Sequence, residues 1–372
     1  MLTKLKIKNF KSILEADFPL GSLNLFTGIN AIGKSSAIQP LLLLKQSLRN
    51  GDFERGLFLK DEDLLSLGLG KDVFSIGAPA EALLTFDLEW DYTHTLEVSF
   101  HQAAEKDVLP LAKQERSEGF DLAAAFMFSD NTRYLGANRI NPQTQYKTST
   151  YHVDDLVSLG KEGEYTVHYL AQYQNRPLPN PDLQHPDAKS DTLLDNVSAW
   201  LSEISSGVRV NATYHEKLEI ASLSYSFELQ NGYTESFKPT NVGFGLTYVL
   251  PIITALLMMP PGGLLIIENP ESHLHPAGQA KIARLCALAA ASGSQIMLES
   301  HSDHILNGIR VAIKQGVLSH EDTKVYYFQR DAESPDHSSR VIPIHIDATG
   351  RADEWPDGFF DEWDKQLDLL LE

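Results

Sequence analysis

The chain has 372 residues, 42% apolar and 22% charged, the composition of an ordinary globular protein with room for one large or two ordinary domains. Its 50 acidic against 31 basic side chains give a net charge of −19. So acidic a surface repels nucleic-acid phosphates, so any nucleic-acid site is confined to a local basic strip or belongs to a partner. The single cysteine, Cys286, excludes an internal disulfide framework and fits a reducing cytoplasm, where it reads as a buried core thiol.

Met1 to Lys8 alternate polar and apolar residues, which predicts a strand and not a signal peptide. Leu5–Phe10 and Leu23–Phe26 are expected to frame the first sheet, with Lys11 and Ser12 between them as either nucleotide contacts or a solvated loop. Gly28-Ile29-Asn30-Ala31-Ile32-Gly33-Lys34-Ser35 then fits G-x-x-x-x-G-K-[ST] at every fixed position, with Ser36 following. A strand precedes it and a helix from Ser36 to Gln46 follows, the context a phosphate cradle needs. The two glycines let backbone N–H groups approach phosphate oxygens, and the helix N-terminus adds partial positive charge. Lys34 is placed to reach the β- and γ-phosphates of ATP, and the Ser35 hydroxyl to ligate Mg²⁺.

Residues 51–75 read as a surface loop with a short helix. Val73–Ile76, Ala82–Trp90 and Thr95–Phe100 alternate like antiparallel strands and predict a second small sheet. Ala103–Glu118 is polar and reads as helical. The prolines between Tyr173 and Lys189 mark an extended connector, Leu194–Ile204 a helix, Ser222–Leu229 a strand, and Asn231-Gly232 a hairpin turn. This middle part reads as an insertion between two halves of one core. The longest apolar run, Leu246 to Ile267, is broken by Pro251, Pro260, Pro261, Gly262 and Gly263, so it predicts a buried helix, a turn and a strand instead of a membrane span.

The second half alternates strands with helices: Leu264–Ile267 ending in Glu268, a helix from Pro276 to Ala291, Gln295–Leu298, a helix from Asp303 to Lys314, and Lys324–Phe328. Runs apolar on both faces belong to a parallel sheet, so the fold class is a doubly wound α/β core. Each strand end offers a group that phosphoryl chemistry requires. Glu268 is placed to hold Mg²⁺ through water, and Glu271 is a second carboxylate. His273 and His275 follow as turn residues in preference to a zinc pair. His301 is placed to touch the γ-phosphate. Asn241-Val242-Gly243-Phe244-Gly245 opens a helix and makes a second anion site. One nucleotide does not need two cradles unless they face each other across an interface, so Asn241, Gly243 and Gly245 imply a head-to-tail dimer.

Taken in order, Ile7-Lys8-Asn9-Phe10-Lys11-Ser12, the loop Gly28–Ser35, Asn241–Leu246, Glu268-Asn269-Pro270-Glu271-Ser272-His273-Leu274-His275-Pro276, Glu299-Ser300-His301-Ser302 and Trp355–Glu362 resemble the ABC/SMC-like ATPases of the OLD (overcoming lysogenization defect) type. They are closer still to their nuclease-free relatives from bacterial anti-phage defence loci. The resemblance implies an ABC-type P-loop head with a mixed sheet, an antiparallel subdomain and an inserted middle region. It also implies ATP and Mg²⁺ at residues 28 and 30–36, and homodimerisation with the 241–245 loop acting in trans. A separately encoded effector, a nuclease or toxin, would be the regulated partner. The divisions expected are 1–100 and 236–345 for the two halves of the core, 101–235 for the insertion and 346–372 for an acidic tail. Asn269 departs from the pattern by standing at the usual catalytic glutamate. An amide takes no proton from water, so slow hydrolysis is expected, with Glu271 or His301 orienting the water. The 44 residues after Phe328 are too few for a nuclease domain, which needs about 100. They include a helix with Trp363, Leu367, Leu370 and Leu371 on one face, expected to dock on its own core. A stand-alone DNA-end-processing SMC-like ATPase, which the acidic charge disfavours, and a scaffold with a decayed loop, which the intact Lys34 and Ser35 disfavour, are the alternatives.

Overall fold

A computed structural model describes residues 1–371 except Ala31, Asp52, 122–130, 331–337 and the side chain of Asp364. The chain divides into two compact units: Met1–Ser129 with Glu299–Asp303 and Ser319–Glu372, and Asp130–Leu298 with His304–Leu318. The chain opens with β1 (Leu2–Phe10), β2 (Ile13–Pro19), β3 (Leu23–Gly28), α1 (Lys34–Arg49) and β4 (Leu57–Phe58). Strands β5 (Leu84–Trp90), β6 (His94–Phe100), β7 (Val108–Leu109) and β8 (Leu111–Arg116) follow. Next come β9 (Thr132–Leu135), α2 (Thr166–Tyr173), α3 (Leu193–Ser202), β10 (Val208–His215), β11 (Ile220–Leu229), β12 (Gly232–Tyr233) and α4 (Phe244–Leu257). The remainder is β13 (Leu264–Glu268), α5 (Pro276–Ala291), β14 (Gln295–Ser300), α6 (Asp303–Lys314), β15 (Thr323–Arg330), β16 (Ser339–Ile344) and α7 (Glu362–Leu371).

The first unit holds an antiparallel sheet of order β2-β1-β5-β6-β8. Its alternation is visible in β1: Leu5 and Ile7 are buried, while Lys4 and Lys6 face solvent and pair with Asp17 at 2.9 Å and Glu15 at 2.8 Å on β2. β3, buried at its first five positions, instead runs parallel to β15, which pairs antiparallel with β16, so this second sheet is mixed. The two segments expected to frame one sheet therefore lie in two. A strand with one solvated face suits an antiparallel sheet, and a strand buried on both faces suits the parallel part of a covered one. Phe18 of β2 packs edge-on to Phe26 of β3 (5.9 Å) and Tyr326 of β15 (5.1 Å), joining the two sheets through aromatic pairs worth roughly 0.5–1.5 kcal/mol each.

Residues 103–118, expected to be helical, form β7 and β8 instead. Cross-strand pairing decides this: β8 lies antiparallel to β6, and Lys113 reaches Glu97 at 2.8 Å. Val73–Ile76 is likewise no strand; a 3₁₀ turn at Gly70–Asp72 leads to a single bridge between Phe74 and Phe10.

In the second unit β9 pairs parallel with β13, all of whose residues are buried. The β10–β11 hairpin packs on α2 and α3, and α4 is buried from Val249 to Leu257. Leu229 pairs with Gly232, so the hairpin loop is Gln230-Asn231, one residue earlier than the sequence suggests. Cys286 on α5 is fully buried, and that burial pushes its thiol up to about 12. Among the described residues no helix is long and apolar enough to cross a membrane.

Candidate functional site

In the first unit, β3 delivers the chain to the loop at Gly28 and α1 leaves it at Lys34. Gly33 caps α1 with φ +90°, a left-handed conformation, and a Cβ there would lie 2.1 Å from Ser12 Oγ. Glycine is therefore required at 33 by both backbone and packing. Ser12 and Ser339 brace the turn from outside: Ser339 Oγ donates its one proton to the Ile32 carbonyl and pairs with the Ser12 hydroxyl at 2.8 Å. Lys34, a residue only 3% exposed, donates through its ammonium to the carbonyls of Gly28 (3.1 Å) and Ile29 (2.7 Å), so the loop curls around this lysine. Ser36 is buried and Asn30 exposed, while Ala31, an expected contact, lies outside the described residues.

The Ser35 hydroxyl donates to Glu299 Oε1 at 3.0 Å, at the buried end of β14. Neighbouring ligands of an octahedral Mg²⁺ with oxygen distances near 2.1 Å lie about 3 Å apart, so this pair of hard donors fits that ion. In the sequence Glu299 stands inside a motif with no role predicted for it. The signal for it is a carboxylate in an otherwise apolar buried run. His301, exposed just past β14, shares a cavity of about 420 Å³ with Thr27, Gly28 and Asn30.

The second unit carries the other acidic candidates. Glu268 ends β13 at 9% exposure, and its Oε1 accepts from Tyr134 Oη of β9 at 2.9 Å. Arg139, 2% exposed, grips the following turn: its guanidinium donates to the Glu268 carbonyl at 2.5 Å and to the Asn269 carbonyl at 3.0 Å. Burial lowers the Arg139 pKa to about 10, against the raising effect of Glu271 and Glu268. Neither Tyr134 nor Arg139 is predicted from sequence, because both lie more than 120 residues away from their partners. Asn269 adopts φ +46°, and its side-chain oxygen is buried without a hydrogen-bond partner among the described residues. His273 adopts φ +61° and packs against Tyr248 at 4.3 Å. His275 caps α5, its Nδ1 accepting from Ala277 N at 3.3 Å, which gives it a structural task.

The loop entering α4 abuts this turn. A Cβ on Gly245 would stand 2.7 Å from the His273 carbonyl, so close backbone approach explains that glycine. Gly243 differs: its φ is −60°, and a Cβ there would meet nothing within 4 Å. Among the described residues nothing crowds a side chain at 243.

The fold is that of solved SMC heads. The chain aligns with the Smc head domain with an extended coiled coil bound to the C-terminal domain of ScpA from Pyrococcus furiosus at TM-score 0.52 and 12% identity, covering 100% of this chain and 99% of that one. It aligns with an SmcHead bound to the C-winged helix domain of ScpA at TM-score 0.51 and 12% identity, covering 93% and 98%. No curated protein matches the sequence. Residues 318–370 match the family described as "Protein of unknown function (DUF3696)". Residues 114–307, from β8 to α6 and including Glu268, Glu271 and His301, match the model for "AAA domain, putative AbiEii toxin, Type IV TA system"; that is more than half of the sequence, and the chain belongs to this AAA-domain family.

Proposed function

We propose that the protein is an ABC/SMC-like ATPase that binds Mg²⁺-ATP at residues 28–36, hydrolyses it slowly, and uses the bound nucleotide to join two copies. The observation that carries this reading is the curled loop with Lys34 Nζ on two of its own carbonyls and Ser35 against Glu299. An ammonium held by carbonyls is ready to exchange them for phosphate oxygens, which bind it more strongly. Mg²⁺, held by Ser35 and Glu299, would supply Lewis-acid neutralisation of phosphate charge. Glu268 is the candidate for supporting the metal through water, and Glu271 or His301 for orienting the attacking water. The unpartnered Asn269 amide oxygen can accept a hydrogen bond from water but takes no proton, which supports slow turnover.

Gly243 supports the dimer. A glycine at ordinary φ with open space around it leaves the α4 N-terminus accessible to a group from outside the chain, here the phosphates bound by a second copy. The OLD-like motif set and the AbiEii wording of the matched family support a role in anti-phage defence, with a separately encoded nuclease or toxin as the regulated effector. In the solved neighbours an SMC head holds a domain of another protein, which is the kind of docking such regulation uses. The DNA-acting alternative is disfavoured by the −19 charge. Calorimetry with Mg²⁺-ATP, together with light scattering with and without nucleotide, tests the proposal. Binding that disappears in Lys34→Ala and a mass that doubles with ATP support it; a wild-type chain that ignores ATP overturns it.

A further inference from the structure

The segment after residue 354 has no part in the chemistry above. Phe359 is fully buried, edge-on to Tyr327 of β15 at 5.2 Å and to Trp355 at 4.8 Å, and Tyr327 Oη donates to the Asp357 carbonyl at 3.2 Å. That is an anchor. On either side of it Gly358 (φ +80°) and Phe360 (φ +55°) are left-handed, so the chain turns sharply and sends α7 away. The helix then exposes the apolar face expected to be docked: Trp363 is 75% exposed, Leu367 41%, Leu370 82% and Leu371 78%. Lys365 pairs with Asp357 at 2.6 Å and Asp361 at 2.9 Å, both within the tail, so this triad stiffens the segment without fastening it to the glycine loop.

What the segment does face is the 420 Å³ cavity beside the loop. Gly28, Asn30 and His301 form one part of its lining, and Asp361, Glu362 and Lys365 another. Two carboxylates and one ammonium leave a net negative charge next to a loop built to hold phosphate. A terminal phosphate entering there meets like charge, unfavourable at these separations and screened only in part.

We propose that the tail is a charge gate on the nucleotide pocket: Asp361 and Glu362 oppose the terminal phosphate beside Gly28 and Asn30, and a bound triphosphate swings α7 out about the Gly358–Phe360 turn. The inference rests on the reading that the loop takes ATP. It gives the tail a role the motif set does not supply, and it explains a helix anchored at one end whose apolar face is exposed.

The test is calorimetric titration of the full-length chain with Mg²⁺-ATP and Mg²⁺-ADP at low and high salt. It compares the wild type with an Asp361→Asn/Glu362→Gln double variant, a chain ending after Phe360, and Asp368→Asn, a charge on the same helix that does not line the cavity. The double variant and the shortened chain are expected to bind ATP roughly five- to tenfold more tightly at low salt, with a smaller gain for ADP and for either nucleotide at 0.5 M salt. Asp368→Asn is expected to match the wild type. Equal or weaker ATP binding by the double variant and the shortened chain overturns the gate while leaving the ATP reading intact. Absence of ATP binding in every variant and in the wild type removes both.

Discussion

Two glycine-bearing helix entries invite comparison. At Gly33 the fold dictates the residue: φ is +90°, and a methyl group would strike Ser12. At Gly243 neither backbone nor packing among the described residues demands it: φ is −60°, and the space around it is open. One loop is shaped by its own unit. The other is an open helix entry that leaves room for something to approach it. A helix N-terminus alone does not separate these cases; the surroundings of each Cβ position do.

Substitutions can break or sharpen that contrast. Lys34→Ala is expected to have the largest effect, lowering ATP affinity by roughly two orders of magnitude through loss of a charge-assisted contact, as calorimetry would read. Retained affinity would deny the loop its role. Arg139→Met should lower stability by about 3 kcal/mol, because the Glu268 carbonyl loses its guanidinium donor, the Asn269 carbonyl keeps the Ser272 N–H but loses both guanidinium donors, and a buried turn is left without its charged clamp, as a denaturant titration would show. Gly33→Ala should cost about 1–3 kcal/mol of stability from the strained φ alone and more from the clash, as well as ATP binding. Gly243→Ala, by contrast, should leave the denaturation midpoint unchanged within about 0.5 kcal/mol while weakening ATP-dependent association in light scattering. If Gly243→Ala destabilises the monomer as Gly33→Ala does, the distinction fails.

The smallest effect concerns Cys286. Its thiol pKa is raised to about 12, so between its ordinary value and 12 the folded state holds a proton the unfolded state has lost. Stability therefore falls as pH rises through that window, and iodoacetamide at pH 8 should label the protein only as fast as it unfolds. Rapid labelling of the folded chain would place the thiol elsewhere.

Much of this was legible in the residues, because local pattern and local chemistry agreed. The loop at 28–35 announces itself by fixed residue types at fixed spacing, and Leu264–Glu268 by an unbroken apolar run ending in an acid. What local pattern does not carry is long-range or decided by context. Arg139 is an unremarkable loop arginine until the fold sets it beneath residues 268 and 269. Glu299 hides inside a strand, where a charge reads as a boundary and not as a partner for Ser35. Residues 103–118 are polar enough for a helix, yet the open edge of β6 captures them as a strand. The apolar stripe of α7 is legible in the sequence, but a stripe does not say what covers it, and here it is exposed.

The most direct test of the central claim is a structure of the full-length chain with Mg²⁺ and a non-hydrolysable ATP analogue. The account predicts that Lys34 Nζ leaves the Gly28 and Ile29 carbonyls for phosphate oxygens, that Ser35 and Glu299 flank the ion, and that Gly243 of a second copy meets the terminal phosphate. Nucleotide bound away from residues 28–36, or bound there with every copy of Gly243 facing solvent, would contradict it.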